Sequence, residues 1–322
     1  MTKRLILYIG IISLVSCVGG KKKDLNANEP LPISVTNSID NLKTTKDVIQ
    51  FAKSVDPDFT KINPEELQIK ETQLIFDEIQ NCDMYKKWNI QNWQKIDLNN
   101  DGRSDLLFTA CVNSIYYQYA IINKESEDYE VFKLTSDLDY YCKIVKPVIV
   151  NNKNQLLVYS YKTDIETVKK GLNIQFTDTL TYKFDSFIEH SNRKVSYEIQ
   201  SVKYIWDHNF EISIDYNQNA YYKCLNSLNV SNLDGNFYKG ISEKKIDPSY
   251  FNDIEKLLEY MHVKDLANEY AVEPYDSSTV WVEIKFKDGS VKKIKDYGSQ
   301  GSYGLNAFYN KMTKLAQQIK WE

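Results

Sequence analysis

The chain has 322 residues and a mass of 37.6 kDa, with 40 lysines and arginines against 44 aspartates and glutamates, a formal charge of −4. That mild acidic excess excludes a general nucleic-acid binder, which needs a basic surface to release counterions from phosphate. Hydrophobic residues make up 42% and aromatics 13%, which excludes whole-chain disorder and is enough for one or two real cores.

Met1-Thr2-Lys3-Arg4 is a short basic start, and Leu5 to Leu14 is an apolar run broken by Gly10 and Ser13. The run is too short to span a bilayer core, which needs about 20 residues, and has the length of a secretory h-region. It ends in Leu14-Val15-Ser16-Cys17, which resembles a bacterial lipobox. The resemblance implies that Cys17 is lipidated and becomes the first mature residue, with several acyl chains giving stable anchoring. An ordinary signal peptide with an incidental cysteine is the alternative. Residues 18–41 read as a tether: Gly19-Gly20, Lys21-Lys22-Lys23, asparagines, and Pro30 and Pro32 give no apolar periodicity. Such a segment reaches ~25–30 Å root-mean-square. Its lysines are either simply solvated or lie against anionic headgroups. No aspartate stands directly after Cys17 and no acidic run follows it, so an outer-membrane anchor on the periplasmic face is expected.

From residue 42 the pattern is that of an α+β chain, with two domains over 42–192 and 193–322. Each is expected to be an antiparallel sheet with a few packed helices. Lys46–Val55 is an amphipathic helix through Val48, Phe51, Ala52 and Val55. Asn63-Pro64-Glu65-Glu66 reads as the start of a second helix running to about Gln80. Strands follow at Asp105–Val112, Ile115–Asn123, Tyr129–Leu134, Cys142–Val150, Gln155–Lys162 and Thr179–Glu189, rich in Val, Ile, Tyr and Phe and separated by polar turns. The boundary falls near Ser191-Asn192-Arg193. Beyond it, strands are expected at Ser196–Trp206, Phe210–Asp215, Ala220–Cys224 and about Asn236–Ile241. Asp247-Pro248 caps a helix through Phe251, Ile254, Leu257, Leu258 and Met261. Val280, Val282, Ile284 and Phe286 alternate along a strand that turns at Asp288-Gly289 and returns over Val291–Lys295. Leu305, Phe308, Tyr309, Met312, Leu315, Ala316 and Ile319 mark the last helix, closed by Trp321.

The stretch from about Ser196 to the end resembles an uncharacterised domain family found in lipoproteins of Bacteroidetes. The resemblance rests on Gly235-Asn236-Phe237-Tyr238, Leu257-Leu258-Glu259-Tyr260 and Leu266 to Val272. It rests most on Asp296-Tyr297-Gly298 followed by Gly301-Ser302-Tyr303-Gly304-Leu305, with Gln318 and Trp321. Many members carry a Cys-x-x-x-Cys-Pro element where this chain has Trp206-Asp207-His208-Asn209, so any role of that thiol pair is missing. The resemblance implies kinship and compartment and carries no activity.

Asp97-Leu98-Asn99-Asn100-Asp101-Gly102-Arg103-Ser104-Asp105 is the sharpest local motif. Side-chain oxygens at Asp97, Asn99, Asp101 and Asp105, with the Arg103 carbonyl, match the spacing that wraps one calcium ion, and Gly102 permits the turn. Phe108 stands where an EF-hand has its glutamate, so the motif instead resembles the single loop of an FG-GAP/VCBS-type repeat, implying structural calcium. A plain Asn/Asp/Gly turn is the alternative. Gly298, Gly301, Ser302 and Gly304 lie between a strand and a helix start, a place that offers amides to an anion; a tight turn capped by Ser302 is the simpler reading. His190, His208 and His262 show no ligand spacing. Cys82, Cys111, Cys142 and Cys224 remain after Cys17; Cys82–Cys111 is the expected disulfide among several pairings. Tyr116-Tyr117, Tyr140-Tyr141 and Tyr221-Tyr222 place one ring on each sheet face.

The expected function is therefore that of a membrane-anchored envelope lipoprotein, a non-enzymatic binding or accessory module for an envelope protein or glycan. An envelope hydrolase with a dispersed acidic site, or a calcium-stabilised inhibitor or immunity-type protein, are the alternatives.

Overall fold

The first helix forms where its apolar face and its cap agree. Helix α1 (Thr45–Val55) starts at Thr44, whose hydroxyl accepts from the Asp47 amide while the Asp47 carboxylate accepts from the Thr44 amide. This capping box satisfies two otherwise unpaired donors, and Val48, Phe51 and Ala52 are buried. The computed structural model describes residues 39–61, 67–79, 82–125, 128–135, 142–162, 174–207, 209–224, 237–270, 277–299 and 301–321. The leader, nearly all of the tether, Asn63-Pro64, Tyr140-Tyr141 and His208 lie outside them.

A short helix α2 (Pro57–Lys61) follows, and then the chain departs from the expected long helix. Leu67–Gln68 is strand β1, paired with Val112 and Cys111, and α3 (Thr72–Glu78) and α4 (Asp83–Lys87) are separate short helices. Leu67 and Ile69 are buried against the α1 core, an arrangement that one continuous helix from Pro64 does not allow. Five strands make the first sheet: β1, β2 (Trp93–Ile96), β3 (Asp105–Val112), β4 (Ile115–Asn123) and β5 (Tyr129–Lys133). The second sheet is a meander of β6 (Lys143–Val150), β7 (Lys153–Lys162), β8 (Ile174–Lys183) and β9 (Ser186–Glu189). The single strand expected over Thr179–Glu189 is split by a turn at Phe184-Asp185, both at positive φ. The region expected to be one sheet thus holds two.

Those two sheets share a core. Leu107, Ala120 and Ile122 from β3 and β4 pack with Val145, Leu156, Val158, Leu180 and Phe187 from the second sheet. Buried Gln118 adds a polar clamp: its amide donates to the Val145 carbonyl at 3.0 Å and accepts from the Val145 amide at 2.7 Å. Gln118→Leu strands both backbone groups, each worth ~1–3 kcal/mol when buried unpaired. A loss of about 2–4 kcal/mol in urea unfolding is expected, and a loss below about 0.5 kcal/mol would contradict the clamp.

After Glu189, the chain builds a seven-stranded sheet, ordered β13-β12-β11-β10-β15-β16-β14. Its strands are β10 (Ile199–Trp206), β11 (Phe210–Asp215), β12 (Asn219–Cys224), β13 (Gly240–Lys245), β14 (Glu269–Tyr270), β15 (Thr279–Phe286) and β16 (Val291–Tyr297). It is antiparallel except for β14 against β16, which run parallel. Burial alternates along β10 and β11, so one face is covered. The cover is α5 (Pro248–Tyr260), capped by Asp247, and α6 (Tyr303–Gln318), capped by Ser302. Leu257, Leu258, Leu305, Phe308 and Met312 reach Val202, Tyr204, Ile212, Val282 and Ile284 in one core. Trp321 closes it, stacked on Tyr222 with ring centroids 4.7 Å apart and donating to the Ala316 carbonyl.

Residues Ser34–Glu322 form one compact unit, and the expected boundary lies on the connection between β9 and β10. Sheets dominate, with helices added, so the chain is α+β. Among the described residues, no helix is long and apolar enough to cross a membrane.

Candidate functional site

The Asp296-Tyr297-Gly298 and Gly301-to-Leu305 motif builds the start of α6. Asp296 is fully buried. Its carboxylate accepts from the Gly301 amide at 2.9 Å and from the Tyr309 hydroxyl at 3.0 Å, tying strand, loop and helix together. A Cβ at Gly301 would sit 2.7 Å from that carboxylate and 2.7 Å from Leu305, so the loop has room only for glycine there. Gly298 turns at φ 80°. The amides expected to face a free anion are already taken. Glu189, at the end of β9, accepts from Tyr303 N at 2.6 Å and Gly304 N at 2.8 Å, and Ser302 accepts from Leu305 N. The anion at this helix start is the chain's own carboxylate, favoured there by the helix dipole.

That clamp fixes Tyr303 against the first half of the chain. Its hydroxyl donates to the Leu134 carbonyl at 2.7 Å, and burial holds its pKa far above the usual phenol range. Lys143, the first residue of β6, extends its ammonium over the Tyr303 ring, 4.3 Å from the centroid. Burial pulls the Lys143 pKa below the ordinary 10.5, with the charge of Glu189 opposing. No carboxylate among the described residues pairs with this ammonium.

Lys143 and Tyr303 line a cleft of about 460 Å³ that also meets Lys133, Thr135, Asn306 and Asn310. The Lys133 ammonium lies 3.6 Å from the Tyr117 ring centroid at the same cleft. Among the described residues, no aspartate, glutamate or histidine lines the cleft. The sequence reading missed Lys143. Its only local signal is a lysine opening an apolar strand, and Tyr303 is brought to it by folding alone.

In the 97–105 loop the side-chain oxygens accept hydrogen bonds from nearby amides. Asp97 accepts from the amides of Asp101 and Gly102, and Asp101 accepts from the Arg103 amide and guanidinium. Buried Asp105 accepts from Leu98 and Asn99 on one oxygen and from Asn123 on the other. Its pKa is pushed up to about 7 by burial, against the pull of those amides. Asn100, at φ 61°, exchanges hydrogen bonds with the Asn154 backbone, and the Asn154 side chain donates to the Asp97 carbonyl. The loop thus joins the first sheet to the second. Among the described residues no group of three or more His, Cys, Asp or Glu converges for a metal; Asp97, Asn99, Asp101, Arg103 and Asp105 are engaged in hydrogen bonds within the loop and to Asn123 of β4.

The disulfide is Cys82–Cys142, not Cys82–Cys111. All three cysteines enter one core, but the start of β6 brings Cys142 to a Cα separation of 5.0 Å from Cys82. Cys111 and Cys224 are buried free thiols. Tyr116 and Tyr222 are buried while Tyr117 and Tyr221 are half-buried, as alternation requires. A second pair missed in the sequence is Ser191 and His262, 71 residues apart, with Ser191 Oγ 2.5 Å from His262 Nε2. His262 Nδ1 is buried without a hydrogen-bond partner among the described residues.

No curated protein and no solved structure matches the chain significantly. Its C-terminal part, residues 208–316, matches the family model described as Domain of unknown function (DUF6438), which spans β11 to α6 and includes the Asp296-to-Leu305 motif.

Proposed function

We propose that this chain is an envelope lipoprotein, anchored through lipid on Cys17, whose folded part is a non-enzymatic binding module. In this reading residues 42–192 and 193–322 act as two sheet-bearing domains, the second of the kind found in Bacteroidetes lipoproteins. The observation that carries it is the cleft beside Lys143, where a partly desolvated cation, without a carboxylate partner among the described residues, meets neutral amide and hydroxyl groups. Such a group attracts anions. The Cys82–Cys142 disulfide suits an oxidising compartment. An outer-membrane anchor on the periplasmic face, with an envelope protein or glycan as partner, follows from the leader.

Two measurements test this reading. Palmitate labelling should be lost in Cys17→Ala, and the protein should leave the membrane fraction. Native mass spectrometry of protein extracted from its own membranes should show a bound species that the cleft-filling Asn310→Trp removes; a bare wild-type chain would contradict the reading.

The Ser191–His262 contact favours a second reading, a hydrolase. Hydrolysis of acyl or glycosyl esters abolished by Ser191→Ala would establish it. Structural calcium at the 97–105 loop, as in an inhibitor or immunity-type protein, is a further proposal. It requires Arg103 to release Asp101. If calcium binds only the folded chain, millimolar calcium raises the melting temperature by mass action, and Asp101→Ala removes the increment. An unchanged melting temperature would leave the loop as a backbone-held turn.

A further inference from the structure

We infer that the cleft between β6 and the start of α6 takes a hydroxylated monocarboxylate, the chemistry of a uronic acid unit in an acidic glycan. The inference rests on the binding-module reading and names the ligand class of the same cleft.

Three features select this class. The Lys143 ammonium is partly desolvated and stacked on the Tyr303 face, so an arriving carboxylate gains a charge-assisted hydrogen bond that water does not fully offset. The Glu189 charge acts on the same ammonium, although its oxygens are held by the Tyr303 and Gly304 amides. With Lys133 and Lys143 positive and Glu189 negative, a single negative charge on the ligand balances the charges that the described residues bring to the cleft. Apart from Lys133 and Lys143, the described polar lining is neutral: the Asn306 and Asn310 side chains can both donate to and accept from sugar hydroxyls, while the Thr135 oxygen already accepts from the Gln118 amide. Lys133, an exposed residue of the same lining, adds attraction without burial. A volume of about 460 Å³ is in the range of small-molecule sites.

The test uses the full folded chain and a fixed set of probes: sodium glucuronate, a galacturonate trimer, glucose, acetate and inorganic phosphate, each followed by amide NMR shifts and calorimetry. The uronates should bind and shift amides around Lys143, Thr135 and Asn306. Lys143→Met should weaken them roughly tenfold or more, the worth of one charged hydrogen bond. Lys143→Arg should retain most of the affinity, and Lys133→Ala should cost about two- to threefold. Melting curves confirm that each variant is folded, and Asn310→Trp, which fills the cleft, supplies an independent block. Uronates that leave the cleft amides unmoved, or that bind Lys143→Met as well as wild type, overturn the inference. So does equal or tighter binding of glucose or phosphate in the cleft, a result that nevertheless preserves the binding-module reading. A wild-type chain that takes up no probe, and that also yields no native ligand displaced by Asn310→Trp, overturns both.

Discussion

Asp296→Ala will cost about 3 kcal/mol or more of unfolding free energy and will loosen the start of α6. Asp296 is fully buried and its carboxylate accepts from the Gly301 amide and the Tyr309 hydroxyl. Removing it leaves a buried hydroxyl and a partly buried amide without these bonds, each costing ~1–3 kcal/mol when left unpaired in the interior, and opens space in a packed core. The Tyr309 phenol, held well above its usual range by burial and by Asp296, has no means of ionising to compensate. Amide exchange should rise first at Gly301 and Tyr303, whose positions depend on the same turn. Asp296→Asn keeps one acceptor and should fall between wild type and alanine. A penalty for Asp296→Ala below about 1 kcal/mol would show that the motif is not what holds the helix start.

The second large effect concerns the disulfide. Cys82 and Cys142 are separated by 60 residues, and the chain-entropy relation gives about 4 kcal/mol for closing such a loop. The double variant Cys82→Ser, Cys142→Ser should lose about 2–4 kcal/mol, since measured disulfides often deliver less than the relation. Cys111→Ala, which touches only a buried thiol, should lose about 1 kcal/mol. Non-reducing peptide mapping should link the Cys82 and Cys142 peptides and leave Cys111 and Cys224 free; a Cys82–Cys111 peptide would reverse the assignment.

Local patterns were read well where one short stretch settles the outcome. The last helix has a 3.6-residue apolar stripe and a serine cap, and it forms over Tyr303–Gln318. Strands β3 and β4 match their expected limits because alternation and turn residues coincide there. The Asp288-Gly289 turn uses Gly289 at φ 82°. The split between β8 and β9 was hidden because Phe184 and Asp185, neither a glycine, take positive φ. The helix expected from Pro64 carried good start signals, but burial of Leu67 and Ile69 in the neighbouring core won over local propensity. The cleft was beyond local reading altogether. The Tyr303 hydroxyl reaches Leu134 across 169 residues and its amide reaches Glu189 across 114, and the unusual state of Lys143 follows from those contacts. The glycine loop was correctly placed beside a helix start, but the carboxylate that fills it comes from another strand.

The state of Lys143 also sets a pH signature. The folded chain releases this proton below the ordinary lysine value of 10.5, while the unfolded chain holds it to that value. Between the two, the unfolded state binds more protons, so the Lys143 contribution to stability rises with pH and is lost as pH falls through the folded pKa. Titration of the Lys143 side chain by carbon-13 NMR, assigned with Lys143→Arg, reads this ammonium directly. The account predicts a midpoint below 10.5 in the free protein that moves upward when glucuronate is added. An ordinary lysine midpoint, unmoved by glucuronate, would contradict it.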